Sequence, residues 1–171
     1  MYKMILASLL LCSSNVMATI LTEDFEGTFP AWESNWLATN SNLQNHYGAG
    51  QGRGNNPDGL WIADGLNNGS IVEITFASSF ADTITDFSID TTTWITGALF
   101  EAFDTLGDAV VSTTVTGMRG ADTDGGSYQT IAFSTTHGLA GFNITGGQIE
   151  GNTSIDNVVV TTKTANVPEP T

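Results

Sequence analysis

Ala98-Leu99-Phe100-Glu101-Ala102-Phe103-Asp104-Thr105-Leu106-Gly107-Asp108-Ala109-Val110-Val111-Ser112-Thr113-Thr114-Val115 is the stretch that decides the fold class. In its first part Ala98, Phe100 and Ala102 alternate with Leu99, Glu101 and Phe103. Successive side chains of a strand point to opposite faces, so a period of two marks a strand with one buried and one wetted face. Leu106-Gly107-Asp108 supplies turn chemistry, and Val110–Val115 follows as a second β-branched run. The whole stretch reads as a hairpin.

The same rhythm runs outward in both directions. Val72, Ile74 and Phe76 alternate with Ile71, Glu73 and Thr75. Phe87 and Ile89 lie between Asp86, Ser88 and Asp90, and Ala140, Phe142 and Ile144 alternate with Gly141, Asn143 and Thr145. Ile155–Thr162 is the last such run, and Ile20–Phe25, Leu60–Ala63 and Gln129–Phe133 complete the set. Together they give about nine short strands with turn signals between them, Asp124-Gly125-Gly126 among these. Beyond residue 18 no stretch sustains apolar spacing of three and four. The expected fold is all-β, a two-sheet antiparallel jelly-roll-like β-sandwich. Pro30–Gly59 breaks the rhythm: it is long, polar and rich in Asn and Gly, and it carries Trp32, Trp36, His46, Tyr47 and Arg53. A long loop that holds aromatic residues reads as functional rather than disordered.

The N-terminus reads as an export signal. Lys3 precedes an apolar stretch, Met4–Cys12, and Val16-Met17-Ala18 offers a cleavage site, so residues 1–18 are expected to be a signal peptide. The apolar run is short of the roughly 20 residues a membrane span needs. Cleavage removes the single cysteine, Cys12, which leaves a hydrophobic core or a metal ion to hold an exported fold. The β-sandwich is expected over 19–162, with 163–171 a linker. The chain has 18 acidic and 4 basic residues and a net charge of −14. With Lys3 gone, Arg53, Arg119 and Lys163 are the remaining cations, far apart in sequence. That excludes the basic surface that nucleic acids and anionic membranes require. The acid serves either solubility or divalent-cation binding.

Candidate sites follow from residue type. Glu23, Asp24 and Glu26 cluster on the first strand, with Asp24 and Glu26 expected on one face, and Asp156 lies on the last strand. If those strands are neighbours, Glu26 and Asp156 are placed to share a calcium ion, which takes six to eight oxygen ligands. Asp122-Thr123-Asp124-Gly125-Gly126 lacks the late Glu of a calcium loop and reads as a turn. Trp32, Trp36 and Tyr47, in the irregular segment, are candidate platforms for sugar rings. Trp61, between Leu60 and Ile62, reads as core, and Trp94 is open. His46-Tyr47 with Arg53 is the base, acid and charge-neutralising trio that catalysis would need, but no catalytic motif frames it. Gly-x-Ser-x-Gly, His-Glu-x-x-His and a phosphate-cradling loop are all absent.

Two resemblances rest on these residues. Asn166-Val167-Pro168-Glu169-Pro170-Thr171 resembles the start of a PEP-CTERM sorting signal. The hairpin Glu101–Ser112, with Leu139–Ile144 and Ser154–Val160 after it, is similar to PEP-CTERM β-sandwich ectodomains. The resemblance implies export by a Gram-negative bacterium and handling by exosortase-type machinery. The family's membrane helix and basic cluster do not follow Thr171 in this sequence. More loosely, Phe25-Glu26-Gly27 and Ile155-Asp156-Asn157-Val158 resemble the opening and closing strands of carbohydrate-binding jelly rolls. That likeness implies terminal strands lying side by side, with acids that help hold a structural calcium. The expected function is an exported surface or matrix protein, non-catalytic, that binds extracellular polysaccharide. A jelly-roll polysaccharide-active enzyme and a structural surface protein without ligand are the alternatives.

Overall fold

The computed structural model describes residues 17–26, 32–38, 59–62, 71–93, 98–116, 118–119, 126–145 and 153–163. Residues 1–16 of the expected leader, residues 164–171 of the tail, Trp94, and His46, Tyr47 and Arg53 of the irregular segment lie outside them. Among the described residues there are eleven strands: β1 Ala18–Glu23, β2 Leu60–Ile62, β3 Ile71–Thr75, β4 Ile84–Thr92, β5 Leu99–Phe103, β6 Ala109–Thr114, β7 Met118–Arg119, β8 Gly126–Ser127, β9 Gln129–Ser134, β10 Gly141–Thr145 and β11 Thr153–Lys163. A short helix, α1 Ser78–Ala81, and a π-helical turn, Trp32–Trp36, interrupt them. Among the described residues no helix is long and apolar enough to cross a membrane.

The strands form two antiparallel sheets. The first runs β1-β11-β4-β9, with β2 also on β11, and the second runs β3-β10-β5-β6. A two-stranded ribbon, β7-β8, stands apart. The expected jelly-roll-like sandwich is therefore the observed one, and the terminal strands β1 and β11 do pair, from Ala18↔Lys163 to Glu23↔Val158.

Alternation places the core. Phe100 and Ala102 of β5, Phe142 and Ile144 of β10, and Phe87 and Ile89 of β4 are all buried between the sheets. Phe100 stacks on Phe142 with ring centroids 5.2 Å apart, and Phe142 reaches across to Phe87 of the other sheet at 5.7 Å. Such aromatic pairs add about 0.5–1.5 kcal/mol each beyond the area they bury.

Two irregularities reconcile the pattern with the sheet. In β11 both Ile155 and Val158 are buried, which strict alternation forbids. The register with β4 shifts between Asp156 and Val159, and Asn157 takes a left-handed φ of 46°. This is a β-bulge: one extra residue moves the inward set from odd to even positions. A second shift, between Thr161 and Thr162 opposite β4, does the same for the buried pair Ile84 and Phe87.

β1, Ala18–Glu23, is displaced by two residues toward the N-terminus from the expected Ile20–Phe25. It ends at Glu23, because Phe25 adopts a φ of 55° and turns the chain inward. Phe25 is then fully buried, edge-on to Trp32 at 5.7 Å.

Candidate functional site

The outer face of the first sheet is built from small side chains in register. One row across it is Ile20, Thr161, Asp86 and Ser134; the next is Thr22, Val159, Ser88 and Ala132. The third holds Asp156, Asp90 and Thr130. Because Thr161, Ser88, Ala132 and Ser134 are small, the face is left as an open groove of about 340 Å³. Asp86, Ser88, Ala132, Ser134, Val159 and Thr161 line it, over the backbone of the core residues Phe87 and Phe133.

Asp86 is the titratable group of this lining, and it is held in place. Ser134 Oγ donates to its Oδ1 at 2.7 Å. Thr85 Oγ1 lies 2.9 Å from its Oδ2 and 3.2 Å from the Thr161 carbonyl. A carboxylate has about four lone-pair sites, so two oriented bonds leave acceptor capacity facing the groove. Asp90, two rows on, accepts from Thr130 Oγ1 and from Asn157 Nδ2 at 3.0 Å. At the opposite end the alternation of β11 brings exposed Lys163 to the same face. The face thus offers hydroxyls and a fixed acceptor above strand backbone, groups that exchange hydrogen bonds with a hydroxyl-rich ligand.

The expected sugar platforms require correction. Trp32 is 0% and Trp36 3% exposed, so neither has a face free for a sugar ring. Trp32 packs edge-on against Phe76 at 6.2 Å and Trp36 at 5.9 Å, and Trp36 stacks on Phe80 at 5.4 Å. The reason is apolar area: the two indoles bury themselves against each other and against Phe25, Phe76 and Phe80. Tyr47 lies outside the described residues, and so does the side chain of Trp61.

The acidic cluster does not converge as the strand alternation suggested. Asp24 and Glu26 stand exposed beyond the end of β1, where the Glu26 amide donates to Asp24 Oδ1 at 3.3 Å. Glu23 folds inward instead, and its Oε1 accepts the Phe25 amide at 3.0 Å. Burial raises the Glu23 pKa, with the Asp24 charge adding to it, against the lowering pull of the Phe25 and Trp32 amides. Asp156 is buried, and its Oδ1 takes the Asn157 amide at 2.7 Å. Among the described residues no three acidic, His or Cys side chains group as metal ligands. The calcium set expected at Glu23, Asp24, Glu26 and Asp156 is therefore not assembled by the described side chains.

Of the two histidines, His137 is described, and it belongs to a turn. Asp104 Oδ1 accepts the amides of Leu106 and Asp108 at 2.9 and 3.0 Å, while His137 Nδ1 lies 3.3 Å from Oδ2. Desolvation works to raise the Asp104 pKa, but the Asp108 amide, His137 and the Leu106 amide together bring it below the usual value. Thr105 Oγ1 donates to the His137 carbonyl. The cluster ties the β5–β6 hairpin to the β9–β10 connection.

The sequence reading missed Asp86, Ser88, Ser134 and Thr161 as site residues. Their signal was the small, polar wet side of alternating strands, but such positions recur on every strand.

No family model matches the chain, and no curated protein matches it. The PEP-CTERM resemblance therefore stands on its quoted residues alone. Among solved structures, the chain is similar to a family 29 carbohydrate-binding module from Piromyces equi, with 11% identity, 86% of this chain and 92% of that one covered, and a TM-score of 0.49. It is also similar to the mannan-recognising module TmCBM27, with 13% identity, 86% and 99% covered, and a TM-score of 0.44. A third is the C-terminal family 6 module of LamC from Zobellia galactanivorans, with 15% identity, 85% and 100% covered, and a TM-score of 0.41.

Proposed function

We propose that the chain is an exported, non-catalytic β-sandwich that binds polysaccharide along the groove on the outer face of its first sheet. The observation that carries the reading is the groove itself: about 340 Å³, floored by strand backbone, lined by Ser88, Ser134 and Thr161, with Asp86 fixed as an acceptor. Its volume lies within the about 300–1,000 Å³ range of ligand sites. Sugar hydroxyls donate to carboxylates and exchange hydrogen bonds with Ser and Thr, and sugar C–H groups pack on Ala132 and Val159. The non-catalytic reading draws on the same lining. Among the described residues it holds one carboxylate, Asp86, where glycoside hydrolysis uses two. Export draws on the leader-like residues 1–18, of which 1–16 lie outside the described residues, and surface sorting on the tail motif, which lies outside them altogether.

The test is affinity electrophoresis of the exported chain through gels containing neutral and acidic polysaccharides. Wild-type protein is expected to be retarded, and Ser88→Trp, which fills the groove, is expected to be retarded much less. Equal retardation of the two, with both shown to be folded, overturns the assignment of the groove.

A further inference from the structure

We propose that the outer face of the second sheet carries a second site, sized for one neutral sugar residue, so that a single molecule bridges two polysaccharide chains. The bridging rests on the binding proposed at the first groove. The second site rests on separate observations.

The register of the second sheet sets Glu73, Asn143, Glu101 and Ser112 in one row and Thr75, Gly141 and Phe103 in the next. Phe142 and Ile144 point inward, so Gly141 and Asn143 take outward positions. Gly141 fills its position with no side chain. A Cβ there would stand 2.0 Å from the Ile74 carbonyl oxygen, so the close approach of β10 to β3 requires glycine. The result is a notch of about 140 Å³ with Thr75 on one side, Phe103 on the other, and Glu73 and Asn143 at one end. At about 30 Å³ per water, that is room for four to five waters, the scale of one sugar ring rather than a chain.

The chemistry of the notch is two-sided, as a sugar is. Phe103 is half-buried on a face whose neighbouring row is polar, which leaves aromatic surface beside hydrogen-bonding groups. Glu73 is exposed and Asn143 half-buried. Ser112 Oγ donates to Glu101 Oε1 at 3.3 Å and orients that carboxylate in the same row. An aromatic wall takes the C–H face of a sugar, and the Glu73 carboxylate and Asn143 amide take its hydroxyls. The charged residue of the lining is Glu73, so an anionic sugar is repelled. Packed sheets lie about 10 Å apart, and the two sites open on opposite faces. Both can be filled at once, and two linked sites gain avidity on a polymer.

The test is light scattering from a soluble β-glucan and a soluble mannan, with alginate as the acidic control, as the exported chain is added. Wild-type protein is expected to raise scattering with a maximum at intermediate protein concentration, the signature of bridging followed by saturation of each chain. Phe103→Ala and, as a milder exposed change, Glu73→Ala are expected to remain bound in affinity gels but to lose the scattering rise. Folded variants that bridge as wild type does overturn the second site, as does wild-type binding without bridging. If Ser88→Trp bridges normally, the first groove is wrong. If Phe103→Ala also abolishes binding, the notch is the sole site and the bridging proposal fails. Retention on no glycan overturns both readings.

Discussion

Trp32→Ala separates a buried role from a binding role. The Trp32 ring is fully buried, with Phe25, Trp36 and Phe76 at centroid distances of 5.7, 5.9 and 6.2 Å. Truncating a buried aromatic to alanine costs about 3–5 kcal/mol. Taking about 4 kcal/mol, and about 2–4 °C per kcal/mol for a domain of this size, the melting temperature should fall by roughly 8–16 °C. Trp32→Phe gives the internal control. The Trp32 Nε1 hydrogen is buried and finds no acceptor among the described residues, a desolvation cost of about 1–3 kcal/mol that phenylalanine removes. That gain offsets lost volume, so Trp32→Phe should cost less than about 2 kcal/mol. The assays are urea and thermal unfolding beside affinity electrophoresis at a temperature where every variant is folded. Polysaccharide retention should be unchanged in both variants. A Trp32→Ala protein with wild-type melting and lost retention would refute the burial argument and restore the indole as a sugar platform.

Further outcomes follow from the same structure. Asp86→Ala should weaken polysaccharide binding about tenfold or more, since a hydrogen bond to a charged group is worth about 1.5–3 kcal/mol, and isothermal titration reads it directly. Gly138→Ala should lower the melting temperature, because φ is 80° there and a Cβ would meet the Ala81 carbonyl oxygen at 2.4 Å; an unchanged melting temperature contradicts the placement. The Asp104 pKa is lowered from 3.8 on folding, so its stabilisation is present above that value and is lost as pH falls through the folded-state pKa. The melting difference between wild type and Asp104→Asn should therefore shrink in acid. The Glu23 pKa is raised from 4.5, so its contribution is full below that value and is lost as pH rises through the folded-state pKa. Glu23→Gln should accordingly gain on wild type as pH rises above 4.5, and a pH-independent difference would speak against its burial.

The sequence by itself determined the strands and much of the core. A period of two grouped Phe100 with Ala102, Phe142 with Ile144, and Phe87 with Ile89 on one face of each strand, and all six are buried. That period is a local property of the extended backbone, so it is legible one segment at a time. The spacing of Ile155 and Val158 even carried the trace of the bulge at Asn157, although strict alternation does not interpret it. Three things had to wait for the tertiary structure. Trp32 and Trp36 sit in a segment with no period, and their burial depends on Phe76 and Phe80, some forty residues on. Asp24 and Glu26 left the expected face because one left-handed residue, Phe25, ended the strand. The groove itself exists only because β11 lies between β1 and β4, and β9 beyond β4. This order brings Thr161, Asp86 and Ser134 into one row. Alternation says which side of a strand is wet; long-range backbone pairing decides which wet sides become neighbours.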